Sequence, residues 1–300
     1  MTHDRITLLA SAIVLGTGVL WGFYWLPVRA LAEMGLSGAW GTVVITVVAA
    51  IVLSPFAIMR RQQFARSNRI ALASIALGGA AFALYSIGFV YGRVAIIILL
   101  YFLTPVWSTL IGCYVMGWHT PRLRILAIAV GLVGLATMLG ADGEMPVPRG
   151  AGEWMALIAG VLWSIATTGI RAKSGMEPAA AAFIFALGAT VAALILAPFL
   201  EPWPAGIFTA NLGGMVGLAF ATGGLWWGLS IVSLMWATVR LEPARVGILL
   251  MTEVLVGAIS AAILANEYLD RLEILGGALV LCAGILEVWP ARRNTPAHTQ

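Results

Sequence analysis

Charge is scarce in this 300-residue chain, and the scarcity decides its class. Charged residues make up 10% and hydrophobic residues 61%, with a mean hydropathy of +0.98. No soluble domain of this size could hide so much apolar surface in one core. Histidine is rare too, and His3, His119 and His298 all fall outside the apolar stretches. Aspartate is missing from the middle of every stretch, which excludes an aspartyl dyad. No cluster of His, Cys and carboxylate residues has metal-ligand spacing. Cys113 and Cys282 lie within apolar stretches and read as filler, not as a disulfide or a nucleophile. The one lysine, Lys173, sits at a helix end with no glycine-rich phosphate loop beside it, so nothing supports ATP-driven transport. Rings of charge and filter-like carbonyl segments, the marks of a channel, are absent as well. The sequence therefore argues against an enzyme and implies no metal and no cofactor.

What remains is ten apolar stretches, each near the roughly 20 residues that cross a bilayer as a helix. They are Ile6–Val28, Leu36–Met59, Ile70–Tyr91, Val94–Met116, Leu123–Ala141, Gly152–Arg171, Glu177–Leu200, Leu212–Val239, Ala244–Leu264 and Leu272–Trp289. The first is kept as a span despite the signal-like Ala10-Ser11-Ala12, because it has a counterpart later in the chain. Basic residues orient the set. With a cytoplasmic N-terminus, thirteen of the 17 fall inside: Arg5, the Arg60–Arg69 group, Arg122 and Arg124, Arg171 and Lys173, Arg240 and Arg245, Arg292 and Arg293. Only Arg29, Arg93, Arg149 and Arg271 fall outside, so both termini are expected to be cytoplasmic. The net charge of +4 reports this topology and implies no nucleic-acid partner.

The second half repeats the first. Gly18-Val19-Leu20-Trp21 returns as Gly160-Val161-Leu162-Trp163; Arg29 matches Arg171, Met34 matches Met176 and Pro55 meets Pro198. Further on, Thr104 falls opposite Glu253 and Pro105 opposite Val254. Each copy has five spans, an odd number, so the second must enter the membrane upside down. The fold expected is all-α and integral to the membrane: ten helices as two inverted five-helix repeats, residues 1–145 and 146–300. Carriers of this design bind their cargo near the midplane, where the copies meet.

Gly-Val-Leu-Trp-Gly at 18–22, its echo at 160–163, Leu103-Thr104-Pro105 in the fourth span and Ala265-Asn266-Glu267 after the ninth together resemble the drug/metabolite transporter superfamily. The chain is similar to its ten-helix EamA-type exporters, and its aromatic density is similar to that of the bacterial YddG-type exporters of aromatic and neutral amino acids. The resemblance implies a monomeric exporter in a bacterial inner membrane. Two departures stand out: Val254 replaces the proline often found at the second helix break, and Gly117-Trp118-His119 stands where a glutamate is common.

Glu253 is the one acidic residue placed in mid-span. It reads either as a partner for a substrate ammonium or a coupling proton, or as a protonated glutamate satisfied by nearby backbone. Phe82, Tyr85 and Phe89 fall on one stripe of the third span, and Tyr101, Thr104 and Ser108 on one face of the fourth. Thr222, Trp226, Ser230 and Ser233 share a face of the eighth, while Trp21 sits with Tyr24 and Trp25, and Trp163 with Thr167. An aromatic stripe alone also suits packing or lipid. Hydroxyls gain nothing from lipid, so the mixed faces should point inward. The expected substrate site is thus Trp21, Tyr24, Tyr85, Tyr101, Thr104, Trp163, Trp226, Ser230 and Glu253, with Pro105 bending the fourth span. Such a site suits an aromatic or large neutral amino acid; a lipophilic or quaternary cation is the rival. Gly88/Gly92, Gly213/Gly217 and Gly224/Gly228 have the spacing of close helix contacts, with a hinge role as the alternative. Trp40, Trp118, Trp203 and Trp289 read as interface anchors, and Glu267, Asp270, Arg271 and Glu273 as a solvated outer loop.

Overall fold

The structure, a computed structural model, describes residues 3–115, 117, 122–143, 145, 147–173, 176–204, 212–238, 240–241 and 243–288. Among these there is no strand. All ten apolar stretches are helical, but three of them are interrupted. The first is α1 (His3–Gly22) followed by α2 (Trp25–Glu33), and the second is α3 (Trp40–Met59). A short α4 (Arg61–Arg66) leads to α5 (Arg69–Tyr91), the third span. The fourth is α6 (Val94–Tyr101) plus α7 (Thr104–Tyr114), and the fifth is α8 (Arg122–Leu139). Then come α9 (Ala151–Lys173) and α10 (Pro178–Leu200). The eighth span is α11 (Leu212–Phe220), a π-helical segment (Ala221–Leu229) and α12 (Ser230–Thr238); α13 (Pro243–Leu264) and α14 (Arg271–Val288) close the set. Seven of these spans are long and apolar enough to cross a membrane by themselves, with Ile125–Leu139 and Ile248–Leu264 as shorter apolar helices. The tenth carries Arg271, Glu273 and Glu287 and is more polar.

Proline explains two of the interruptions. A proline inside a helix lacks the N–H that would bond residue i−4 and crowds that residue's carbonyl. Pro105 acts on Tyr101, where α6 ends, and Pro27 acts on Phe23, just past the end of α1. The helix break expected at Pro105 is present, as a full interruption and not a bend: Pro105 lies in the first turn of a new helix, where its missing donor is harmless. Pro55 shows the other outcome. It stays inside α3, and the Ser54 hydroxyl donates to the Ile51 carbonyl that Pro55 leaves without a partner (2.7 Å).

In hydrocarbon every freed carbonyl needs a donor, and side chains supply them here. The Tyr101 carbonyl, which Pro105 leaves without its donor, takes the hydroxyl of Thr104; the Leu20 carbonyl accepts the Trp226 indole (3.1 Å) beside the Phe23 amide (3.2 Å), and the Thr104 carbonyl at the start of α7 takes the Ser164 hydroxyl (3.0 Å). Ser260 bridges the first break: its oxygen accepts from the Trp25 indole at 3.0 Å and lies 3.4 Å from the Gly22 carbonyl.

Packing between spans is nearly matched under exchange of the two halves. α3 lies on α10 and α8 on α14, each pair linking equivalent spans. α1 on α13 is matched by α9 on α6 and α7, and α5 on α10 by α3 against the eighth span. Small residues set the closest approaches. A Cβ on Gly79 would stand 1.9 Å from the Phe185 carbonyl oxygen, and one on Gly152 would stand 2.7 Å from the Gly88 oxygen. Gly88 and Gly92 thus pack as their spacing predicts, whereas Gly217 meets nothing within 4 Å.

The outer loop is solvated only in part: Asp270 and Arg271 are exposed, whereas Glu267 is half-buried and Glu273 buried. The first span runs on as helix to Glu33, so Arg29 stands on α2. Its guanidinium donates to the Phe89 and Gly92 carbonyls (2.9 and 2.8 Å) and pairs with Glu267 at 2.7 Å. Glu267 also accepts the Val94 amide at 2.6 Å, capping α6. Arg93 pairs with the buried Glu273, whose hydrogen bond raises the arginine above its ordinary value, and donates to the Tyr268 carbonyl (2.8 Å). Charges that read as loop decoration instead tie together the ends of five spans. Trp40 and Trp203 meet edge to face at 4.6 Å near the same end; Trp118 and Trp289 lie outside the described residues.

Candidate functional site

The middle of the bundle is a continuous cluster of rings. Trp21, Tyr24 and Phe82 form a triangle with centroids 5.2 to 5.4 Å apart. Tyr85 stacks on Tyr101 at 4.3 Å, and Tyr101 reaches Trp163 at 6.2 Å. Phe185 joins the two groups, 5.8 Å from Trp163 and 6.1 Å from Phe82. Each break in a span delivers a member: Trp21 and Tyr24 flank the first, and Tyr101 ends α6 at the second. A helix that stops at Tyr101 can turn its last side chain across the bundle.

One carboxylate touches this cluster. Glu253, on the unbroken α13, is buried, and its Oε1 accepts the Tyr85 hydroxyl at 3.0 Å. The ion pairs among the described residues involve other acids, and Glu253 is in none of them. A second polar line runs beside it, Tyr24 to Ser86 (3.3 Å) and Ser86 to Thr42 (2.9 Å). Chemically, the arrangement offers ring faces, hydroxyls and one acceptor, and no group of His, Cys, Asp or Glu able to hold a metal among the described residues.

Of the residues expected at the site, Trp21, Tyr24, Tyr85, Tyr101, Trp163 and Glu253 come together in this one cluster. Thr104 stands at its edge on the second break, beside Pro105. Trp226 does not join it. Its neighbour Trp227 does, fully buried, with centroids 5.8 Å from Phe82 and 5.5 Å from Phe185. The cause is the π-helical segment over Ala221–Leu229. A π turn takes about one residue more than an α turn, so the face reached from Thr222 arrives at Trp227. Trp226 is only partly buried and donates to the Leu20 carbonyl beside the first break, and Ser230 is buried with its hydroxyl donating to the Trp227 carbonyl (3.1 Å). Sequence reasoning also passed over Phe185 and Ser86. Phe185 carries a weak signal, standing amid the small residues of α10 that let α5 approach; Ser86 carries none beyond its type.

Residues 8–140 match the EamA-like transporter family. Over that part, less than half of the chain, the similarity is to a family of membrane transporters of small molecules. A solved structure described as "Crystal structure of protein" shares the fold, with a TM-score of 0.56 and 16% identity, over 94% of this chain and 99% of its own. No curated protein matches the chain.

Proposed function

We propose that the protein is a secondary transporter of the YddG type, exporting aromatic and other large neutral amino acids by alternating access. The observation that carries this reading is Glu253 held by Tyr85 at the edge of a buried ring cluster in mid-bundle. Rings stack on an apolar side chain, and the carboxylate meets the substrate's ammonium or a coupling proton. The matched packing of the two halves supports residues 1–145 and 146–300 as inverted repeats that rock about the site. A bacterial inner membrane, cytoplasmic termini and a monomer complete the proposal. A buried carboxylate beside ring faces also favours one other reading, export of a lipophilic or quaternary cation.

Counterflow in proteoliposomes tests it. The protein should give saturable exchange of labelled tryptophan or phenylalanine, stimulated by unlabelled amino acid on the opposite side. Counterflow with a lipophilic cation but with no amino acid would select the rival reading.

A further inference from the structure

Two indole N–H groups in the ring cluster have no acceptor. The Nε1 atoms of Trp21 and Trp227 are buried and unpartnered among the described residues. A buried donor left unpaired costs about 1–3 kcal/mol, so a protein rarely keeps two of them together. Neighbouring indoles are satisfied: Trp25 donates to Ser260 and Trp226 to the Leu20 carbonyl. The Trp107 Nε1 is also buried and unpartnered among the described residues, but of the three only Trp21 and Trp227 flank Phe82, at 5.2 and 5.8 Å. Trp21 also lies level with Glu253. One turn before it, a Cβ on Gly18 would stand 3.3 Å from the Glu253 amide nitrogen, and just after it Gly22 packs on Val256 and Gly257. The spare Trp21 donor and the Glu253 carboxylate therefore sit within about one helical turn of each other on α1 and α13, and Trp227 joins them through Phe82.

An α-amino acid carries opposite charges on adjacent groups, and this is the complement it requires. Resting on the amino-acid reading above, the geometry points to the Trp21 and Trp227 indoles as the donors that take the substrate's α-carboxylate, while Glu253 and Tyr85 take its ammonium. The two tryptophans then do more than provide walls. They make the site discriminate an amino acid from the amine formed by its decarboxylation, and they do so without an arginine in the middle of the membrane.

Thermal-shift titrations on the purified full-length protein provide the test, with L-phenylalanine, its methyl ester, phenethylamine and 3-phenylpropionate as probes. Wild type should bind L-phenylalanine about tenfold more tightly than the ester or phenethylamine, the effect of losing hydrogen bonds to a charged group. Trp21→Phe and Trp227→Phe keep a ring and remove the N–H. Each should weaken L-phenylalanine and 3-phenylpropionate about tenfold and move phenethylamine less than twofold. Equal losses for all probes, or no loss, would overturn the assignment while leaving the transporter reading standing. Equal wild-type affinity for L-phenylalanine, ester and amine would overturn it even if neither variant folds. Failure of wild type to bind any of the four would instead defeat the amino-acid reading, and this assignment with it.

Discussion

At the scale of single residues, the decisive contact is Tyr85 to Glu253. Glu253→Gln keeps the shape and the hydrogen bond to Tyr85 but removes the charge. It should fold and insert normally, transport amino acids more slowly, and lose any response to an imposed pH gradient that the wild type shows; liposome flux with and without a gradient measures both. Tyr101→Ala and Trp163→Ala remove rings that contact each other at 6.2 Å. Each should cost about 0.5–1.5 kcal/mol beyond lost area, several-fold in affinity for tryptophan. Unchanged affinity in both variants would show that the ring cluster is not the pocket. Most of this cluster was legible in the sequence, because rings and hydroxyls on one helical face have few reasons to face lipid. Trp227 was not legible, because α-helical spacing assigns the inward position to Trp226, and a π segment displaces it by one residue.

At the scale of elements, the breaks follow from covalent chemistry and could be read in advance. Pro27 and Pro105 each stop a helix at or near their own i−4 residue, and Val254, in the place of a third proline, leaves α13 whole. The repeat gives Gly169 opposite Pro27, and α9 is whole as well. Proline-made breaks are thus confined to the first half of the chain, while the second half is interrupted only by the π segment among the described residues, an asymmetry that the paired motifs conceal. Glycines test the packing between elements. Gly79→Ala would push a Cβ into the Phe185 backbone, a contact that no rotamer change relieves. It should lower stability by about 1–3 kcal/mol, read from thermal unfolding in detergent. Gly217→Ala meets open space and should leave stability unchanged or slightly raised. Equal effects would mean that α5 and α10 do not approach as described.

At the scale of the whole molecule, charge is unevenly used between the two ends. Arg29 and Arg93 bind carbonyls and carboxylates of the third, fourth, ninth and tenth spans. At the other end, Arg60 and Glu177 form a largely exposed pair. Arg29→Ala should therefore destabilise by about 1.5–3 kcal/mol, since it strands acceptors that a charged donor had satisfied. Arg60→Ala should cost less than about 1 kcal/mol. Thermal unfolding of the two variants side by side decides the point. Sequence placed these arginines in loops because apolar runs end near them, while the helix of the first span carries on past its hydrophobic stretch to Glu33. The topology itself is checked by reporter fusions, which should place residue 65 and the C-terminus in the cytoplasm.

The borrowed donors at the breaks bear on speed. A helix that flexes in lipid ordinarily strands a carbonyl for as long as it is bent, and that strands free energy in the barrier. Here the Leu20 and Thr104 carbonyls are held by an indole and a hydroxyl from other spans. Flexing at either joint can proceed by trading one donor for another, so the middle of the molecule offers little resistance. On the proposed transport reading, the slow step is then expected at the end tied by Arg29 and Arg93, where those bridges must part.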